Sequence, residues 1–228
     1  MKRTLNATNM IVNVLKNGIV VIMIFIILIG FTTCYQHNPS FCNNHQEAEF
    51  EQDIDAPESG NAHLCNYSVP LDRLLDSIKV VNTALCIHID KSGYVLSLYA
   101  DTLLIKQYPV VFGWNPVDDK LHQGDGCTPE GKYKVLAKYD HDAWSKFIWI
   151  DYPNKESLVK FREAKANGII SPESTPGGEI GLHGVYPNRD INIDVRNNWT
   201  AGCISLKNKD IGEIYEYVNV GTIVFIRK

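Results

Sequence analysis

Hydrophobic positions fall into three regimes along the chain. From Ile19 to Phe31, thirteen consecutive residues carry no polar side chain. Residues 35–68 then show neither helical nor strand period. Glu47, Glu49, Glu51, Asp53, Asp55 and Glu58 crowd there, so the stretch is expected to be a solvated tether. A short helix is predicted over residues 69–81, with Leu71, Leu74, Leu75 and Ile78 at helical spacing and Asp72 early in it. From about residue 83 a period of two takes over. Leu85, Ile87 and Ile89 alternate with Cys86 and His88, and residues 90–93 form a turn. Strands are predicted over residues 94–99 and 102–112, making a meander, and over 131–138, 147–152, 179–183 and 222–226. Two helices interrupt them. Residues 154–167 begin at a capping Asn154, carry a Glu156–Lys160 pair at i,i+4, turn Leu158 and Phe161 inward and stop at Gly168. Residues 208–218 place Ile211, Ile214, Tyr215 and Val218 on one stripe, and Gly221 closes them. No internal repeat is present. The expected class is mainly β with a few helices, in one domain over residues 83–228, preceded by a tether over 34–82 and an apolar segment within 1–33.

Composition narrows the partners. The 228 residues are 45% hydrophobic and 21% charged, which suits a globular chain. Residues 1–33 hold Lys2, Arg3 and Lys16 and no acid, so the net charge of −4 becomes −7 for the remainder. An acidic domain argues against a nucleic-acid partner, whose phosphates attract basic surfaces. The apolar run is shorter than the roughly 20 residues of a comfortable membrane span and fits the core of a secretory signal. Cys34, behind Phe31-Thr32-Thr33, stands where a bacterial lipoprotein would be cleaved and acylated; an uncleaved signal anchor fits the same residues. Both readings attach the chain to a membrane and place the domain on its extracytoplasmic face. Six cysteines are present: Cys34, Cys42, Cys65, Cys86, Cys127 and Cys203. Export permits disulfides, and spacing does not choose their pairing.

The chemistry concentrates late in the chain. There is no Gly-x-x-x-x-Gly-Lys-Ser/Thr loop, no dinucleotide spacing around Gly124-Asp125-Gly126, and no His-Glu-x-x-His or paired Cys-x-x-Cys metal motif. In Thr200-Ala201-Gly202-Cys203-Ile204-Ser205-Leu206, Gly202 leaves the backbone beside the cysteine open. Cys203 is a candidate nucleophile if a base lies near it, and a buried structural cysteine otherwise. His183, in Ile180-Gly181-Leu182-His183-Gly184, ends an apolar strand next to a glycine. It can take a thiol proton and hand it to a leaving amine. Trp199 reads equally as a pocket wall or a core aromatic.

His183-Gly184, followed sixteen residues later by Thr200-Ala201-Gly202-Cys203-Ile204, resembles the signature of the L,D-transpeptidase (YkuD) catalytic domain. Gly124-Asp125-Gly126-Cys127-Thr128-Pro129-Glu130-Gly131-Lys132-Tyr133 is similar to a second block of one branch, as are Tyr152-Pro153-Asn154, Pro176-Gly177-Gly178 and Asn198-Trp199-Thr200. The resemblance implies a β-sandwich-like fold and a substrate, the peptidoglycan stem peptide, in cell wall remodelling and cell shape. It implies Cys203 as nucleophile, His183 as base, and the Gly184 carbonyl as orienter of the imidazole. It assigns the Gly202 and Cys203 N–H groups and the Thr200 hydroxyl to an oxyanion, and Trp199, Ala201 and Ser205 to the substrate pocket. It implies no metal and no cofactor. Ala201 and Ser205 depart from the residues common in the family. A hydrolase on the same scaffold (an L,D-carboxypeptidase, or an enzyme releasing wall-linked protein) and a non-catalytic wall-binding module are the other readings.

Overall fold

The computed structural model describes residues 64–78 and 85–228. The apolar segment, most of the tether, Cys34, Cys42 and the last part of the first predicted helix lie outside the described residues. Helix α1 (Leu71–Ser77) precedes the strands β1 (Leu85–Asp90), β2 (Val95–Ala100), β3 (Leu103–Pro109), β4 (Gly131–His141) and β5 (Ser145–Ile150). Then come α2 (Lys155–Ala166), β6 (Gly181–His183), α3 (Ile191–Asp194), β7 (Ile204–Ser205), α4 (Asn208–Tyr217) and β8 (Ile223–Arg227). The class is mainly β with a few helices. Among the described residues no helix is long and apolar enough to cross a membrane.

The strands form one curled sheet in the order β3-β2-β1-β8-β4-β5-β6-β7. β1, β2 and β3 are the predicted antiparallel meander. The last strand, β8, returns to lie parallel to β1 and antiparallel to β4. β4 changes partner along its length. Residues Gly131 to Lys134 pair with β8, and after a register shift between Val135 and Ala137 the strand pairs with β5. A bulge bends and twists a strand locally, so β4 carries the sheet from one half into the other. Alternation decides what each half buries. Ile87 and Ile89 of β1, Leu96 and Leu98 of β2, Ile148 and Ile150 of β5, Leu182 of β6 and Ile204 of β7 meet in one core. α4 closes that core with Ile211, Ile214 and Val218.

α2 is capped as expected, the Asn154 side chain accepting the Ser157 N–H. Its inward face differs from the prediction. Ser157 and Ala164 are buried, while Leu158 and Phe161 are half-buried. The predicted Glu156–Lys160 pair does not form. Lys160 instead reaches the Asp119 carboxylate and the Glu130 carbonyl, and Ser157 meets the Tyr133 hydroxyl at 3.3 Å. These long-range partners turn the helix toward the segment between β3 and β4.

That segment is built on buried lysines. Lys91, only 2% exposed, donates to Asp118 O, Thr128 O and the Glu130 carboxylate. Lys120 pairs with Asp125 at 2.8 Å, and Asp125 also accepts the N–H groups of Leu121, His122 and Cys127. Each buried charge is therefore matched and hydrogen-bonded, which burial demands.

Candidate active site

β6 and β7 run parallel, with Leu182 opposite Ile204 and His183 opposite Ser205. Period-two alternation sends Leu182 and Ile204 into the core and His183 and Ser205 to the other face. Cys203 immediately precedes β7, two residues before Ser205.

The imidazole is 1% exposed. Its Nδ1 lies 2.7 Å from the Gly184 carbonyl oxygen. A carbonyl only accepts, so Nδ1 carries the proton and Nε2 keeps the basic lone pair. Ser205 donates its hydroxyl to the same Gly184 oxygen at 3.2 Å, and Asn208 Oδ1 accepts the N–H of the same peptide, from Val185, at 3.0 Å. Aromatic rings enclose the imidazole. Trp144 stacks on it at 4.4 Å between centroids, Phe147 lies parallel at 5.8 Å, and Trp199 stands edge-on at 5.5 Å. Burial lowers the His183 pKa to about 4, against a smaller opposing effect of its hydrogen bond to Gly184.

Cys203 is half-buried, and its thiol donates to the Glu179 carbonyl at 3.5 Å. Burial pushes it up to about 11; the Gly181 backbone and the Lys120 charge act the other way. At neutral pH the pair therefore rests as thiol and neutral imidazole.

The loop before the cysteine is held by its own threonine. Thr200 Oγ1 donates to Cys203 O at 2.7 Å and accepts the Gly202 N–H at 3.2 Å. The Thr200 hydroxyl and the Gly202 N–H, expected at the oxyanion, are engaged with the loop itself. Gly202 has φ +140°, and a Cβ there would meet Cys127 O at 2.7 Å. The segment between β3 and β4 thus seats this loop, adding the Trp114 N–H bond to Thr200 O at 3.0 Å. Ala201 is exposed at the tip of the loop. Ser205, expected in the substrate pocket, is fully buried and faces Gly184 instead, because its strand position lies level with His183. Trp199 has two sets of neighbours. It edges His183 and also packs on the small cluster of Val111, Val185 and Ile193. Sequence reasoning missed Trp144, Phe147 and Asn208, which meet His183-Gly184 only through pairing of distant segments.

The site thus lies in a curled, mainly β domain, with a His-Gly strand beside the strand that follows a Gly-Cys loop. The chain belongs to the YkuD family, the L,D-transpeptidase catalytic domain, which it matches over residues 85–226. Among solved structures it is similar to the helical cell shape determining protein Pgp2 from Campylobacter jejuni, at 23% identity and TM-score 0.48, over 69% of this chain and 55% of that one. Bd1075 of Bdellovibrio bacteriovorus is similar at 20% identity and TM-score 0.45, over 64% of this chain and 48% of that one. An L,D-transpeptidase from Mycobacterium smegmatis is similar at 17% identity and TM-score 0.40, over 64% of this chain and 59% of that one. The chain thus spans about half the length of the first two. No curated protein matches it.

Proposed function

We propose that the protein is a peptidoglycan L,D-transpeptidase working by cysteine acyl transfer on a stem tetrapeptide. The observation that carries this reading is the tautomer of His183. With Nδ1–H held by Gly184 O, Nε2 keeps the lone pair of the base, and β7, which begins directly after Cys203, runs beside the strand that ends in His183.

Because thiol and imidazole rest neutral, proton transfer accompanies attack rather than preceding it. Rotation about the Cys203 Cα–Cβ bond takes the thiol from Glu179 O toward the imidazole. The sulfur then attacks the carbonyl of the third stem residue. An S–C bond forms, the C–N bond to the terminal D-Ala breaks, and the thiol proton passes through Nε2 to the leaving amine. An amine of a second stem attacks the thioester, the new C–N bond releases the sulfur, and the amine proton returns to it through His183. With Thr200 and Gly202 holding the loop, the Cys203 N–H is the donor assigned to the oxyanion; one such donor contributes about 3 kcal/mol. The N-terminal apolar segment would keep this chemistry at the extracytoplasmic face of the membrane.

The test is mass spectrometry of tetrapeptide muropeptides incubated with the full chain, with and without an added acceptor amine. Release of D-Ala with a crosslinked product in the amine arm is expected, and Cys203→Ala should abolish both. Tripeptide alone in both arms would replace the transferase with a hydrolase. Release of D-Ala by Cys203→Ala at the wild-type rate would reject the cysteine mechanism altogether.

A further inference from the structure

We infer that the turn between β4 and β5 is the positioning element of the base, with His141 and Trp144 setting the plane of the His183 ring and the place of its orienting peptide together. The inference rests on the assignment of His183 as base.

The turn is closed from within. His141 Nδ1 accepts the backbone N–H groups of Ala143 and Trp144, each at 3.2 Å. That geometry needs a lone pair on Nδ1, so the His141 ring is neutral with its proton on Nε2. The same ring lies flat on the Trp144 indole, with centroids 4.3 Å apart and planes 6° apart. Trp144 in turn stacks on His183, with planes 23° apart. The stack thus runs His141, Trp144, His183, and its outer member is pinned to the turn by the backbone.

The second constraint is a hydrogen bond. The Trp144 carbonyl accepts the Gly184 N–H at 3.0 Å. Gly184 must be glycine here, because a Cβ would meet Asn208 Oδ1 at 2.1 Å and Trp144 O at 2.6 Å. Trp144 therefore touches both halves of the base, its ring on the imidazole and its carbonyl on the residue whose own carbonyl holds Nδ1. A shift of this turn tilts the ring and moves the acceptor at once. Trp144 and His141 act through the imidazole and its orienting peptide, so they are positioning residues. Of the carboxylates at the turn, Asp140 is paired with Lys146 and Asp142 is exposed.

The experiment combines nitrogen-15 NMR of the His183 ring with steady-state kinetics on the tetrapeptide. NMR reads tautomer and titration with no need for turnover, so failure of the catalytic assignment and failure of this inference separate. Wild type should show a single Nδ1–H tautomer. Trp144→Leu should mix the tautomers and move the titration up by at least one pH unit toward the ordinary histidine value, as water reaches the ring. Its kcat should fall about tenfold or more with KM within about twofold, as misplacement of a catalytic group does. Trp144→Phe, which keeps a ring in place, should restore most of both signals. His141→Asn, whose amide oxygen can replace the Nδ1 acceptor, should be milder than His141→Ala. A folded Trp144→Leu with the His183 tautomer and titration of wild type would overturn the inference. If Trp144→Leu does not fold, His141→Ala decides in the same way by the same two NMR readouts.

Discussion

Ser205 donates its hydroxyl to the carbonyl of Gly184 at 3.2 Å, and that oxygen is the one that receives Nδ1–H of His183 at 2.7 Å. The serine is fully buried and acts on His183 through one shared acceptor. Ser205→Ala should fold, since it removes one oxygen from a packed site. Loss of a neutral hydrogen bond is worth about 0.5–1.5 kcal/mol, a rate loss of roughly twofold to tenfold. The loss should fall on kcat, measured as D-Ala release, with KM little changed.

The neutral resting pair sets the pH dependence. His183 is protonated only below about 4, so kcat/KM should rise through that value and then stay level across the neutral range. Alkylation of Cys203 by iodoacetamide should still be climbing at pH 9, because the thiol titrates near 11. A plateau of alkylation below pH 8 would mean a preformed thiolate–imidazolium pair and would contradict the proton-coupled attack.

Stability carries the same signature. The unfolded chain takes up a proton on this histidine near 6.5, while the folded protein refuses it until about 4. Folding stability from this group is therefore intact above 6.5 and falls as pH drops toward 4, by on the order of 3 kcal/mol. Urea unfolding of His183→Gln between pH 4 and 7 should lack that loss.

Asp210 has the opposite sign. It is 3% exposed in the first turn of α4, accepts the Tyr67 hydroxyl at 2.9 Å, and burial raises its pKa to about 6. Its contribution is present below 3.8 and is lost as pH rises through 6, by on the order of 3 kcal/mol. Asp210→Asn keeps an acceptor oxygen and removes the charge. The variant should match wild type at pH 4 and exceed it at pH 7 in denaturant midpoint.

Two glycines make a matched pair. Gly202→Ala puts a Cβ 2.7 Å from Cys127 O at φ +140°, so it should destabilise the fold and silence the loop. Gly212→Ala, inside α4 with open space around its Cα, should stabilise by about 0.5–1 kcal/mol and leave turnover unchanged. Thermal melts with D-Ala release on both variants check the contrast.

Much of this was legible from local pattern. The alternation of Leu85, Ile87 and Ile89 locates β1, and Ile211, Ile214 and Val218 mark the buried stripe of α4, because burial on one face imposes a period. The family blocks locate Cys203 and His183 in the chain. What stayed hidden depends on partners far apart in sequence. β7 is two residues long and exists because β6 and Val111 lie beside it. Lys160 is drawn from Glu156 to Asp119 by a loop that no helical rule describes. Trp144 looks like an ordinary hairpin aromatic until β5 pairs with β6 and its ring lands on the imidazole. The resemblance assigns Ser205 to the substrate pocket, whereas its level beside His183 is a matter of strand register that no motif carries.

The place of β8 has a consequence for how the enzyme comes into being. It is the wedge between β1 and β4, so a chain truncated before Ile223 lacks the strand that joins the two half-sheets edge to edge. Cys203 and His183 both lie on the far side of that seam from β1. A growing polypeptide therefore cannot assemble the complete sheet until its closing strand has emerged.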